Sequence, residues 1–174
     1  HGQLLHLEQQ QGHHQAVDLM YAHVTTPYVF HCEDDWLFTS APNLDVARVL
    51  LELTYVSTFC FRQLNLADYE PKKKKKIQLS EYQGIPFYHL EQLDSQWHGY
   101  GFNPHLAKLS LWQSCGGFSQ FKKERHISRY LRAQGKHVVM EYPGSCEHIG
   151  NDLSVSHANH IQRFSRWKKL RRAI

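Results

Sequence analysis

The feature that most limits what this chain can become is the run Tyr28-Val29-Phe30-His31-Cys32-Glu33-Asp34-Asp35-Trp36. Three strand-forming residues lead straight into three consecutive carboxylates. Like charges crowded at the end of a buried strand are costly unless a cation or a set of donors meets them. Oxygen-rich clusters of this kind suit Mg²⁺ or Mn²⁺. The competing local reading is an acidic turn in which Asp35 caps the next segment.

The residues before the run sharpen the choice. Residues 12–22 read as a helix, with Ala16, Leu19, Met20 and His23-Val24 at helical spacing. Thr25-Thr26-Pro27 ends it, and the apolar strand follows. Helix, turn, strand and acidic end make half of a βαβ unit, and open α/β sheets bind ligands beyond the carboxyl ends of their strands.

This pattern resembles the DXD region of GT-A-fold glycosyltransferases, most closely the family 2-like enzymes, in the Glu-Asp-Asp form. The resemblance implies an α/β fold with a GT-A-like mixed sheet flanked by helices. It implies a divalent cation, Mn²⁺ or Mg²⁺, that holds the diphosphate of a nucleotide-sugar donor. Glu33, Asp34 and Asp35 would then form the donor site, with Asp35 the direct metal ligand and Asp34 assisting. It also implies that the βα units holding the nucleoside lie before Gly12, so that this chain lacks most of them or starts late within them.

Composition fits one domain, 1–174, with a substantial core: 41% of residues are hydrophobic and 13% aromatic. No apolar run is long enough to span a bilayer. No signal peptide is recognisable, although a chain starting at His1 rather than Met says little about targeting. The net charge of +4 is concentrated in lysines 72–76 and in the C-terminal tail, and the 14 histidines are scattered. None of Cys32, Cys60, Cys115 and Cys146 forms a CxxC pair, which argues against a zinc site of the usual spacing. Cys32 and Cys60 read as small core residues, and a reducing, cytoplasmic setting is the simpler expectation.

Along the rest of the chain, Gln3-Leu4-Leu5-His6-Leu7 reads as a short strand. Leu37-Phe38-Thr39 continues extended, residues 43–53 form an amphipathic helix and residues 55–61 a strand. Residues 68–83, with five consecutive lysines, read as an exposed loop, the alternative being contact with phosphate or an anionic surface. Residues 85–90 read as a strand, and Pro104 as the first turn of a helix carrying Leu106, Leu109 and Leu111-Trp112. Trp97, Tyr100 and Trp112 are candidates for stacking on a sugar acceptor, set against the usual placement of aromatics in the core.

A second block, Gly116-Gly117-Phe118 followed by Glu124 and a helix ending at Gly135, resembles the family 2 pattern of Gly-Gly-Phe, an acidic pair at a helix start and a C-terminal Gly. The helix-start acid of that pattern deprotonates the acceptor hydroxyl in inverting transfer. The match is Glu124; Arg125 stands where the family usually has the Asp that acts as base. A carboxylate in a first helical turn is also favoured for its own sake. Late histidines complete the metal or diphosphate site in many GT-A enzymes, and His148 is the match, with His157 and His160 as competitors.

Residues 159–174 carry a helical apolar stripe and a basic face. Such a helix either docks by its stripe or rests on an anionic membrane surface, a peripheral contact that suits a lipid-linked acceptor. The resemblance thus implies an enzyme of polysaccharide biosynthesis, with a nucleotide-sugar donor and a glycan or lipid-linked acceptor. Two other readings remain open from the residues: another metal-dependent enzyme such as a phosphohydrolase, and a non-enzymatic module binding anionic ligands. No nucleic-acid motif is present to support a nucleic-acid partner.

Overall fold

The structure is a computed structural model describing residues 2, 4–9, 11–94 and 98–149. In chain order it contains helix α1 (His13–Tyr21), strands β1 (Tyr28–His31) and β2 (Trp36–Phe38), and helix α2 (Leu44–Leu50). Strand β3 (Val56–Cys60), a 3₁₀ turn (Leu66–Asp68), helix α3 (Pro71–Lys74), and strands β4 (Gln78–Tyr82), β5 (Ile85–His89) and β6 (His105–Lys108) follow. Helices α4 (Leu109–Ser114) and α5 (Glu124–Ala133) and strands β7 (His137–Glu141) and β8 (Cys146–His148) come last.

Six strands form one mixed sheet in the order β1-β6-β3-β7-β5-β4, and β2 and β8 form a separate two-stranded ribbon. Among the strands of the described residues only the β3–β7 pair is parallel, and an isolated parallel bridge joins Arg62 to Cys146. Every residue of β3 is buried, as expected of a β-branched and aromatic strand covered on both faces. Helix α2 covers one face, where Ala47, Leu50, Phe59, Phe61, Leu106 and Val139 pack together. Helices α1, α4 and α5 contribute to the other, with Val17, Tyr21, Leu111, Ile127 and Leu131 around Val29, Tyr100 and Ala107. The fold is therefore α/β.

Local chemistry explains the ends of these elements. The Asn43 side chain accepts from the Val46 N–H at 3.1 Å and caps α2. Gly135 (φ 72°) closes α5: its N–H donates to the Arg132 carbonyl and that of Lys136 to the Leu131 carbonyl, the paired bonds of a Schellman cap.

Four expectations need correction. The described residues Leu4, Leu5, His6 and Leu7 form no strand. Pro104 does not open a helix; its carbonyl accepts from Phe61 N–H, and the chain continues into β6, wedged between β1 and β3. Local helix signals lose there to two-sided strand pairing. Residues 68–83 are not one loop. They hold the end of the 3₁₀ turn, the exposed lysine helix α3, and β4, which pairs with β5 through Gln83-Gly84. Both turn residues have positive φ, 53° and 77°, as a tight two-residue hairpin turn requires. Helix α1 buries Val17 and Tyr21 and leaves Leu19 and Met20 40% and 46% exposed.

Two contacts set the placement of α5 and of the Gly-Gly turn before it. The Ser57 hydroxyl of β3 donates to the Gly99 carbonyl at 2.5 Å, and the Gly99 N–H donates to the Ser128 hydroxyl of α5 at 2.8 Å. A Cβ on Gly99 would run into the Ser128 backbone carbonyl, so only glycine allows this approach. Asp18 of α1 accepts from Trp112 Nε1–H and the Phe118 N–H, both at 2.7 Å, and from the Ser119 N–H at 2.8 Å. Desolvation raises its pKa, but these donors outweigh that and hold the carboxyl below the usual carboxylate range.

We expect Asp18→Ala, which orphans the buried Phe118 N–H, to destabilise the fold by about 2 kcal/mol. That corresponds to a fall in melting temperature of roughly 4–8 °C for a chain of this size. Gly99→Ala should lower it by at least as much, and calorimetric melting temperatures unchanged in both variants would refute these clamps.

Candidate active site

Strand β1 ends at His31, and the chain turns through Cys32, Glu33, Asp34 and Asp35 into β2. Strand β8 pairs with β2 in a register that sets Trp36 opposite His148. The Ile149 N–H extends this ribbon by donating to the Asp35 carbonyl at 2.9 Å. The ribbon thus delivers His148, 113 residues along the chain from Asp35, to 2.9 Å between its Nε2 and Asp35 Oδ2. The other oxygen, Asp35 Oδ1, is buried and has no hydrogen-bond partner among the described residues.

Glu33 meets a different imidazole. His13, the first residue of α1, places Nε2 2.8 Å from Glu33 Oε1, with its ring edge-on to Phe102 at 4.5 Å between centroids. The hydrogen bond to Glu33 raises the His13 pKa above the ordinary imidazole value; burial opposes this, and the charges of Glu33 and Glu124 add to it. Glu124, at the start of α5, is half-buried beside the pair. Burial raises its pKa above the usual carboxylate range, reinforced by the Glu33 charge and opposed by His13 and a hydrogen bond from the Phe102 N–H. A Cβ on Gly101 would lie 3.1 Å from Glu124 Oε1, so the glycine leaves that oxygen room.

A cavity of about 210 Å³ opens beside Glu124, across the face of the sheet. Thr58, Arg62, Tyr69, His98 and Asn103 line it together with Glu124. Burial lowers the His98 pKa to about 4, so its ring is neutral at physiological pH. The Arg62 guanidinium lies 5.8 Å from the Trp36 ring centroid, and Trp36 also contacts the His148 ring at 5.0 Å.

From the expected set, the structure pairs Asp35 with His148 and sets Glu124 beside Glu33. Asp34 is exposed in the turn. Tyr100 is 2% exposed and packed on Phe102, His105 and Phe118, and it reaches the wall of the same cavity. Trp112 is half-buried, with its N–H given to Asp18 and its ring against Tyr21, a structural placement. Trp97, His157, His160 and the segment 159–174 lie outside the described residues. Cys32 is exposed rather than a core residue, while Cys60, Cys115 and Cys146 are buried, and all four thiols are free. His13, Asp18 and Arg62 went unread as site or support residues. Only Asp18 left a local trace, a carboxylate on a helix whose partner is a distant Gly-Gly turn.

Among the described residues, no group of three or more His, Cys, Asp or Glu gathers tightly enough to form a protein-only metal cage. Asp35 and His148 form a carboxylate–imidazole pair, as Glu33 and His13 do, and the orphaned Asp35 Oδ1 is an unmet acceptor. Among the described residues no helix is long and apolar enough to cross a membrane.

The His13–Glu33 pair carries a pH signature. Because the folded His13 pKa is raised, its stabilisation is complete below the unfolded value near 6.5 and is lost as pH rises through the folded value. Urea midpoints of the wild type and His13→Ala should therefore differ most at about pH 5.5 and converge by about pH 8.5. An equal gap at both pH values would contradict the pairing. Comparison with known protein families, with curated proteins and with solved structures finds no match to this chain.

Proposed function

We propose that this chain carries a GT-A-like catalytic half and transfers a sugar from a nucleotide-sugar to an acceptor hydroxyl, with inversion at the anomeric carbon. The observation that supports the reading is the pairing of the acids in the turn after β1. Asp35 is paired with His148, and Glu124, from a helix start some 90 residues along the chain, sits beside the Glu33–His13 pair. The turn after β1 thus carries a pair suited to a cation and, through Glu33, adjoins a carboxylate suited to act as base.

Asp35 and His148 are the residues that would hold a divalent cation, because Asp35 Oδ1 is buried without a partner and the imidazole adds a nitrogen donor that suits Mn²⁺. When bound, such an ion supplies positive charge to a departing diphosphate. Glu33 is held off by His13 and takes the part of a second-rank support. Glu124 takes the proton of the acceptor hydroxyl as its oxygen bonds to the anomeric carbon. The bond from that carbon to the diphosphate breaks, and its electron pair leaves with the nucleotide. The raised pKa of Glu124 suits a base, since a carboxylate of ordinary acidity accepts a proton less readily. The cavity beside Glu124 gives the acceptor a place next to this carboxylate.

A thermal-shift panel of nucleotide-sugars with Mn²⁺ tests the reading. A donor present at a hundred times its Kd should stabilise the protein by about 2.7 kcal/mol. Asp35→Ala should abolish that metal-dependent shift. Glu124→Gln should keep the shift and lower turnover by about 10²–10⁴-fold. Wild-type turnover should fall as pH drops through the Glu124 pKa, which lies above the usual carboxylate range. If no nucleotide-sugar gives a metal-dependent shift, the transferase reading fails.

A further inference from the structure

Arg62 has no place in the chemistry described so far. Its side chain lies over Trp36, and among the described residues it forms no ion pair with any carboxylate. It lines the same cavity as Glu124, whereas Asp35, His148 and Glu33 do not line it. Arg62 therefore stands between the ribbon that carries Asp35 and His148, where its guanidinium lies over Trp36, and the cavity that Glu124 lines. Of the other polar groups there, Thr58, Asn103 and the neutral His98 carry no charge, and Glu124 is a carboxylate facing the same space. Thr58 is 1% exposed, and its Oγ1 has no hydrogen-bond partner among the described residues, so it is a ready hydrogen-bonding group on the cavity wall. At the Tyr69 edge the chain passes directly into α3, whose lysines are exposed and add positive potential near the mouth.

We propose that this cavity selects an anionic acceptor: a saccharide bearing a carboxylate or a phosphate, which Arg62 grips while a free hydroxyl faces Glu124. A guanidinium stacked on an aromatic ring is pre-ordered, and its planar fork pairs with either anion through two parallel hydrogen bonds. Arg62 is exposed, so a neutral sugar would leave its guanidinium to water and gain nothing from it. The proposal rests on the transferase reading for the word acceptor, but the anion preference of the cavity stands or falls separately.

The test uses the full chain, and the sugar titrations are run without any donor. Methyl β-glucuronide, methyl β-glucoside 6-phosphate and neutral methyl β-glucoside are titrated while NMR follows the Arg62 Nε–Hε resonance. At least one anionic probe should shift that resonance and bind about tenfold or more tightly than the neutral one. The stronger of the two anions identifies the source of the charge. Arg62→Gln should erase the preference, and Arg62→Lys should retain part of it. Equal binding of neutral and anionic probes, or a preference unchanged in Arg62→Gln, overturns the proposal. So does a loss of uridine diphosphate binding in Arg62→Gln, which would assign the guanidinium to the donor. Absence of turnover with every nucleotide-sugar would sink the transferase reading and leave the measured anion preference in place. Turnover without such a preference would sink this proposal alone.

Discussion

Carboxylates do not gather at the end of a buried strand without compensation, and the architecture around β1 is organised by that constraint. Glu33, Asp35 and Glu124 come from two places in the chain, and each of the first two meets a different imidazole, His13 and His148. The electrostatics couple these groups. The Glu33 charge raises the pKa of Glu124, and the His13 charge opposes it. A single histidine at the start of α1 therefore moderates repulsion between an acid on the strand end and one on α5. Asp35 is left with one oxygen engaged and one buried and unmet.

Such a site needs rigid supports, and they are polar contacts between elements far apart in sequence. The Ser57–Gly99–Ser128 chain of hydrogen bonds fastens the second turn of α5 to the central strand and so fixes the start of the helix where Glu124 stands. Asp18 fastens α1 to the Gly116-Gly117 turn, and α1 in turn carries His13. Gly117 has φ 86°, and a Cβ there would lie 2.9 Å from Asp18 Oδ2, so the second glycine both makes the turn and admits the carboxylate. Beneath the acids, His31 and His105 stack at 5.2 Å, and burial lowers the pKa of both, that of His105 to about 3. Two neutral rings under the strand end add no charge to the problem above them.

What could be read without coordinates followed from short-range physics. The strand at 28–31, its acidic exit, the extended segment after it, the helix from Glu124 and its glycine stop all depend on neighbouring residues. The failures came where distant partners decide. Pro104 carries a helix-start signal, yet its segment is drawn into the sheet because β1 and β3 flank β6 and both pair with it. The lysine run hid a hairpin, since the Gln83-Gly84 turn is set by backbone angles that few residue pairs announce. Nor could the burial of Tyr100 be read, because an aromatic ring carries no mark of which way it faces.

The sequence alone determined that this is an α/β chain with three acids at a strand end and one more at a helix start, because charge, periodicity and capping are properties of adjacent residues. It could not determine which imidazole would meet which acid. His13 and His148 lie 20 and 113 residues from their partners and are indistinguishable from the other histidines until the ribbon and α1 are in place. Only the tertiary structure decided those pairings, and with them the place of the Arg62 guanidinium over Trp36. A charge's energy depends on distance and burial, and both are fixed by the fold rather than by position along the chain.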